Sequence, residues 1–151
     1  MATNRVHAKG PFLYEEYIAD EAGIKPGHLV KLLQNGQIIR HDVEQGRNER
    51  MFAQEDALQG ATIGTTYTIN TLVGVILPNI GSWVQALLAD DETVVVGDWL
   101  VSNGDGCLRK EDEDSDLIDV FCVGVAMEDV DTANDSATSN CWPILIRVAC
   151  H

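Results

Sequence analysis

The chain has 151 residues, 45% of them hydrophobic and 23% charged, with a formal net charge of -14. A chain of this length buries roughly 70% of its unfolded surface, so one folded domain with at most an arm is expected. The acidic balance argues against nucleic acid, whose phosphates need clustered Lys and Arg, and no apolar run approaches the roughly 18 residues that mark a membrane span.

The opening residues Met1-Ala2-Thr3-Asn4-Arg5-Val6-His7 lack the apolar stretch of a signal peptide, so synthesis and use in a cytoplasm are expected. Residues 1–22 then carry Lys9, Gly10-Pro11 and the series Phe12, Tyr14 and Tyr17 with Glu15 and Glu16. Two readings are open for this segment: an extended arm that packs on a neighbouring subunit, or an edge strand of the same domain. The expected division is an N-terminal arm over 1–22 and a β-domain over 23–151.

His28 to Leu33 and Gln37 to His41 read as a hairpin, with Asn35-Gly36 suited to a type I′ turn because both central positions need positive φ. Arg50 to Leu58 is the one candidate for a short helical turn, with Gly60 placed to end it. Strands are expected at Thr65 to Ile69, Leu72 to Leu77, Ser82 to Leu88, Thr93 to Val96, Trp99 to Ser102, Cys107 to Arg109, Leu117 to Met127 and Trp142 to Val148. Glu128 to Asn140 is polar and reads as an exposed loop. About nine or ten short strands predict an all-β sandwich or barrel with at most one short helix.

Templates for chemistry fail one after another. No G-x-S-x-G and no caspase-like or papain-like cysteine environment is present, and Cys150-His151 sits at a terminus that cannot hold a reacting geometry. Cys107, Cys122, Cys141 and Cys150 show no CxxC spacing, so free, mostly buried thiols are expected. His7, His28 and His41 add no zinc-like pair, and neither a P-loop nor a dinucleotide-binding glycine motif occurs. Asn103, Asp105, Gly106 and Asp112 match part of a calcium loop, but Val101 stands at its first ligand position and the flanks are strand-like. The acidic run 111–116 reads as a solvated loop with at most a weak surface cation. No catalytic residue, bound metal or cofactor is expected.

Several segments together resemble the decoration (cement) proteins of tailed phages, which carry a β-tulip or jelly-roll-like domain. They are Gly10-Pro11-Phe12, the stretch Gly23 to Val30, the stretch Phe52 to Gly60, Val96 to Ser102 with Gly104-Asp105-Gly106, and Val123 to Asp131. The resemblance implies a structural virion protein made in the host bacterial cytoplasm. It implies a homotrimer on the outer capsid surface, seated at threefold and quasi-threefold sites and clamping the major capsid protein. It also implies an N-terminal arm reaching a neighbour, a role that would fall to Lys9, Phe12, Tyr14 and Tyr17 here. Two other classes stand beside it. One is a host-glycan adhesion module using Trp83, Trp99 or Trp142; the other is a small hydrolase or metalloenzyme, suggested by the acidic run and the scattered Cys and His.

Overall fold

Short runs rich in β-branched residues, cut by Gly, Pro and Asn, favour strands over helices. The computed structural model describes residues 5–56, 65–111, 121–132 and 141–149, and strands are the only regular elements within them. They are β1 (His7–Lys9), β2 (Phe12–Ile18), β3 (Leu29–Leu32), β4 (Ile38–Arg40), β5 (Met51–Ala53), β6 (Leu72–Pro78) and β7 (Trp83–Ala89). There follow β8 (Thr93–Val94), β9 (Trp99–Ser102), β10 (Leu108–Lys110), β11 (Cys122–Ala126), β12 (Val130–Asp131) and β13 (Cys141–Val148). The all-β barrel expected from the sequence is present.

β7, β10, β9, β11 and β13 close a five-stranded barrel because β7 pairs with both β10 and β13. The closure is uneven. β13 meets β7 at seven successive pairs, from Cys141↔Ala89 to Arg147↔Trp83, whereas β10 meets it at Leu108↔Leu88 alone. A second sheet runs β2-β6-β5-β3-β4, and β8 pairs with β12 apart from both.

Alternation along the strands fills the barrel with Val84, Ala86, Leu88, Leu100, Leu108, Ile144, Ile146 and Val148, and this buried cluster continues into Leu29, Phe52 and Ile76 of the second sheet. The opposite face of that sheet, carrying Val30, Ile38, Met51, Ala53, Val73 and Val75, is covered by Ala19 and Ile24. At β5, in the middle of the second sheet, both faces are therefore buried, and that corrects the helical turn expected at Arg50 to Leu58. Met51, Phe52 and Ala53 form β5, paired to β3 and β6, and burial on two faces removes the polar positions by which a strand is usually recognised. Leu58 and Gly60 lie outside the described residues.

Three further expectations change in detail. Thr65 to Ile69 contributes only the bridge Ile24↔Tyr67. The polar stretch read as a loop from Glu128 contains β12, while 133–140 lie outside the described residues. The hairpin of β3 and β4 is in place, but its turn is a three-residue loop in which Gly36 has φ +81° and Asn35 is not left-handed. The Asn35 side chain accepts from the Gln37 N–H instead, which leaves the left-handed position to glycine.

The segment at the N-terminus is edge strand. β1 pairs with β7, β2 pairs with β6 over all seven of its residues, and the fully buried Val6 donates its N–H to the Glu55 carboxylate at 2.9 Å. The stretch expected as an arm thus packs, over its described residues, against strands of its own domain, the alternative left open by the sequence.

The tip of the β9–β10 hairpin ties the barrel to the second sheet. Gly106 accepts from the Leu29 N–H at 2.9 Å and donates to the His41 carbonyl at 3.0 Å, with its own φ at +87°. A Cβ there would lie 2.9 Å from the Arg40 Cβ and 3.1 Å from the His28 Cδ2, whereas at Gly36 nothing stands within 4 Å. We predict that Gly36→Ala lowers the unfolding free energy by about 1–2 kcal/mol, the cost of a left-handed backbone, and that Gly106→Ala lowers it further because neighbours must also move. Urea titration of both variants tests this, and equal losses would count against a tight junction.

Candidate docking surface

β2 ends the second sheet: one edge pairs with β6, from Phe12↔Pro78 to Ile18↔Leu72, and the other pairs with no strand among the described residues. Alternation sends Phe12 and Tyr14 to one face and Leu13 and Tyr17 to the other. Phe12 is 36% exposed, Tyr14 53% and Leu13 65%; Ile80, in the turn after β6, is also 65% exposed. An unpaired strand edge carrying exposed aromatic and aliphatic side chains is a surface suited to a partner.

The four residues singled out from the sequence are divided between two places. Lys9 lies on β1 with its Nζ 4.1 Å from the Trp83 ring centroid, a cation–π contact on the barrel sheet. Phe12 stacks against His7 with ring centroids 4.3 Å apart, and the His7 Nε2 lies 2.7 Å from the Gly10 carbonyl, which shapes the β1–β2 corner. Tyr14 lies against Gly74, where a Cβ would stand 2.7 Å from the phenol oxygen, and donates its hydroxyl to Glu16 at 3.1 Å. Partial burial, then the Glu16 hydrogen bond, raises the Tyr14 phenol above its ordinary range. Tyr17 donates to the Glu15 carboxylate, the chief cause of its own raised pKa, and packs on the second-sheet core. The structure therefore groups Phe12 and Tyr14, puts Tyr17 on the opposite face and leaves Lys9 apart. Leu13 and Ile80, more exposed than any of these aromatics, escaped the sequence reading. The consecutive apolar run Phe12-Leu13-Tyr14 was the available signal, because a strand apolar on both faces needs two covers.

Trp83, Trp99 and Trp142 are each half-buried. Trp142 pairs at Leu88 and Arg147 at Trp83, so Trp83 and Trp142 stand about 17 Å apart along the strands, too far for one sugar platform. Asp105 accepts from the Cys107 N–H at 3.0 Å within the hairpin turn, and Asp112 lies outside the described residues, as do the rest of the run 112–116 and Cys150-His151. The Ser102 hydroxyl is 2.6 Å from the His41 Nδ1, but Ser102 is fully buried and the His41 Nε2 bonds to the Arg47 carbonyl.

The expectation of free, buried thiols is corrected at Cys107 and Cys141, and Cys122 agrees with it. Cys107 and Cys141 form a disulfide with Cα atoms 6.2 Å apart, and His28 joins them so that the three ligating atoms lie within 4.8 Å. Positions 28, 107 and 141 carry no spacing signal; the fold brings them together, because Cys107 precedes β10, Cys141 opens β13, and His28 precedes β3 beside Gly106. Cys122 is buried with its Sγ 3.5 Å from the Ala149 carbonyl. The His28 Nδ1 accepts from the Lys25 N–H at 2.8 Å, so the proton of the neutral ring sits on Nε2, 3.9 Å from the Cys141 Sγ. Burial, with the Arg40 charge second, pushes the His28 pKa down to about 4.

No family model matches the chain, and no curated protein matches it. Among solved structures it is similar to the crystal structure of head fiber gp8.5 N base in bacteriophage phi29, with a TM-score of 0.57 and 13% sequence identity over 92% of this chain and 95% of that one. At such identity the likeness is one of fold, and it covers both chains almost end to end.

His28 sets a pH dependence of known sign. The unfolded ring takes a proton as pH falls through 6.5, while the folded ring resists until about 4. Stability present above the upper value is therefore lost progressively between the two, by about 3 kcal/mol at most. Urea midpoints measured across this window should fall more steeply with acid in the wild type than in His28→Gln; parallel profiles would contradict the assignment.

Proposed function

We propose that this chain is a structural protein of a tailed-phage virion: a capsid decoration protein that docks on the outer face of the shell and stabilises it. The observation that carries the proposal is the near end-to-end fold likeness to a phage head fiber base, and the sequence resemblance to decoration proteins points the same way. On this reading the partner is the major capsid protein, the seats are threefold and quasi-threefold sites, and three copies of the chain assemble at each.

The physics of the surface supports the reading. A body of net charge -14 repels its own kind in solution, so its contacts need apolar anchors or a neutral to basic partner surface. Phe12, Leu13, Tyr14 and Ile80 offer such anchors along β2 and the turn after β6. Repetition over many sites lets modest individual contacts add into a firm hold on the shell. The same reading makes the protein no enzyme, in keeping with the burial of the Ser102–His41 contact.

Co-sedimentation with expanded, undecorated capsids tests the proposal. The wild type should pellet with the shells and raise their melting temperature, and Leu13→Ala combined with Tyr14→Ala should weaken binding about 30-fold, the effect of losing a central anchor. Failure to co-sediment would overturn the capsid reading; undiminished binding by the double variant would remove β2 from the interface. Light scattering after size exclusion reports whether trimers form before docking.

A further inference from the structure

We propose that Cys107 and Cys141 are a thiol–disulfide latch on the β7–β10 seam of the barrel, closed after folding by a small-molecule disulfide, and that their trio with His28 is not a metal centre. The proposal holds whichever surface the protein docks on.

Position gives the bridge its effect. β10 and β13 flank β7 within the closed barrel, and the bridge joins the residue before β10 to the first residue of β13. Cys107 and Cys141 share a buried cluster with Leu87 and Ala89 of β7, so the bond lies against the strand it brackets. The barrel is thinnest at this seam, where β10 and β7 share the single pair Leu108↔Leu88. A covalent tie there restrains the step in which the barrel would open.

Exposure orders the chemistry. Cys107 is fully buried and Cys141 half-buried, so the Cys141 thiolate meets the oxidant first. It attacks one sulfur of a small disulfide such as oxidised glutathione and releases one thiolate. Cys107, having lost its proton, then attacks the Cys141 sulfur of the mixed disulfide and releases the second. Two protein thiols lose two protons and two electrons, and the small disulfide leaves as two thiols. In a reducing cytoplasm the pair stays open, and it closes once the protein meets an oxidising exterior.

The hydrogen bonding of His28 separates this latch from a metal site. A metal-ligating histidine donates its other ring N–H to a neighbour. Here the His28 Nδ1 is itself the acceptor of the Lys25 N–H, so a metal on Nε2 would demand either an imidazolate or loss of that bond. Nε2 instead keeps its proton and directs it toward the Cys141 sulfur. The pKa near 4 keeps the ring neutral around pH 7.

The test uses the full chain purified under reductant and then treated with oxidised glutathione. Alkylation in denaturant followed by peptide mapping should find Cys107 and Cys141 protected and linked. Reduction should lower the melting temperature by roughly 10 °C, the scale for opening a loop of 34 residues in a chain of this size. C107S/C141S should melt near the reduced wild type and ignore reductant. Cobalt(II) added to reduced wild type should give no thiolate-to-metal absorption. A melting temperature indifferent to reductant, with both thiols open to alkylation, would overturn the latch. A stoichiometric cobalt band lost in C107S would overturn it in favour of a metal centre.

Discussion

The two sheets meet where the Gly106 backbone lies between Leu29 and His41, accepting from one and donating to the other. Each bond contributes only about 1 kcal/mol net, but a buried N–H or C=O left without its partner costs more than that. The insertion needs a left-handed residue without a side chain, because Arg40 and His28 occupy the space a Cβ would take. With the β9–β10 hairpin fixed there, Cys107 is delivered beside His28, and the barrel core runs without a break into Leu29, Phe52 and Ile76. The latch and the continuous core thus depend on one backbone contact.

A second constraint fixes the edge strand β2. β1 and β2 run antiparallel to β7 and β6, and both ribbons change sheets together, at Gly10-Pro11 and at Pro78 to Ser82. The Pro11 carbonyl accepts from the Asn79 N–H at 3.1 Å and from the Ser82 hydroxyl at 2.8 Å, which locks the two crossings to each other. Peeling β2 away would break its whole ladder with β6. The apolar residues of this strand are therefore presented by a rigid element, and a partner need not supply the free energy to order them.

What was legible in the sequence was what local chemistry decides. Asn35-Gly36 between two alternating runs marked the β3–β4 hairpin, and the strand runs expected at Trp99 to Ser102 and Cys107 to Arg109 pair as β9 and β10. β5 was not legible, since Met51-Phe52-Ala53 is apolar on both faces and short, a pattern that only its pairing with β3 and β6 resolves. The His28–Cys107–Cys141 cluster was invisible for a different reason: its members meet through barrel closure, and no local spacing records that. At the candidate surface, the aromatics Phe12 and Tyr14 drew attention by type, whereas Leu13 and Ile80 matter through exposure, which a sequence does not carry.

Charge beside the apolar run weighs against pairing of this edge with a second copy. β2 carries Glu15 and Glu16 immediately after its apolar run, and each carboxylate is held by a tyrosine hydroxyl on the same strand. A second copy pairing along this edge would add its own Glu15 and Glu16, one carboxylate on each face of the strand, to a body already at -14, and like charges at close range cost free energy. A neutral or basic partner meets no such penalty and gains the burial of Phe12, Leu13 and Tyr14. On that footing charge sets the sign of any pairing preference at this edge and the apolar run its strength.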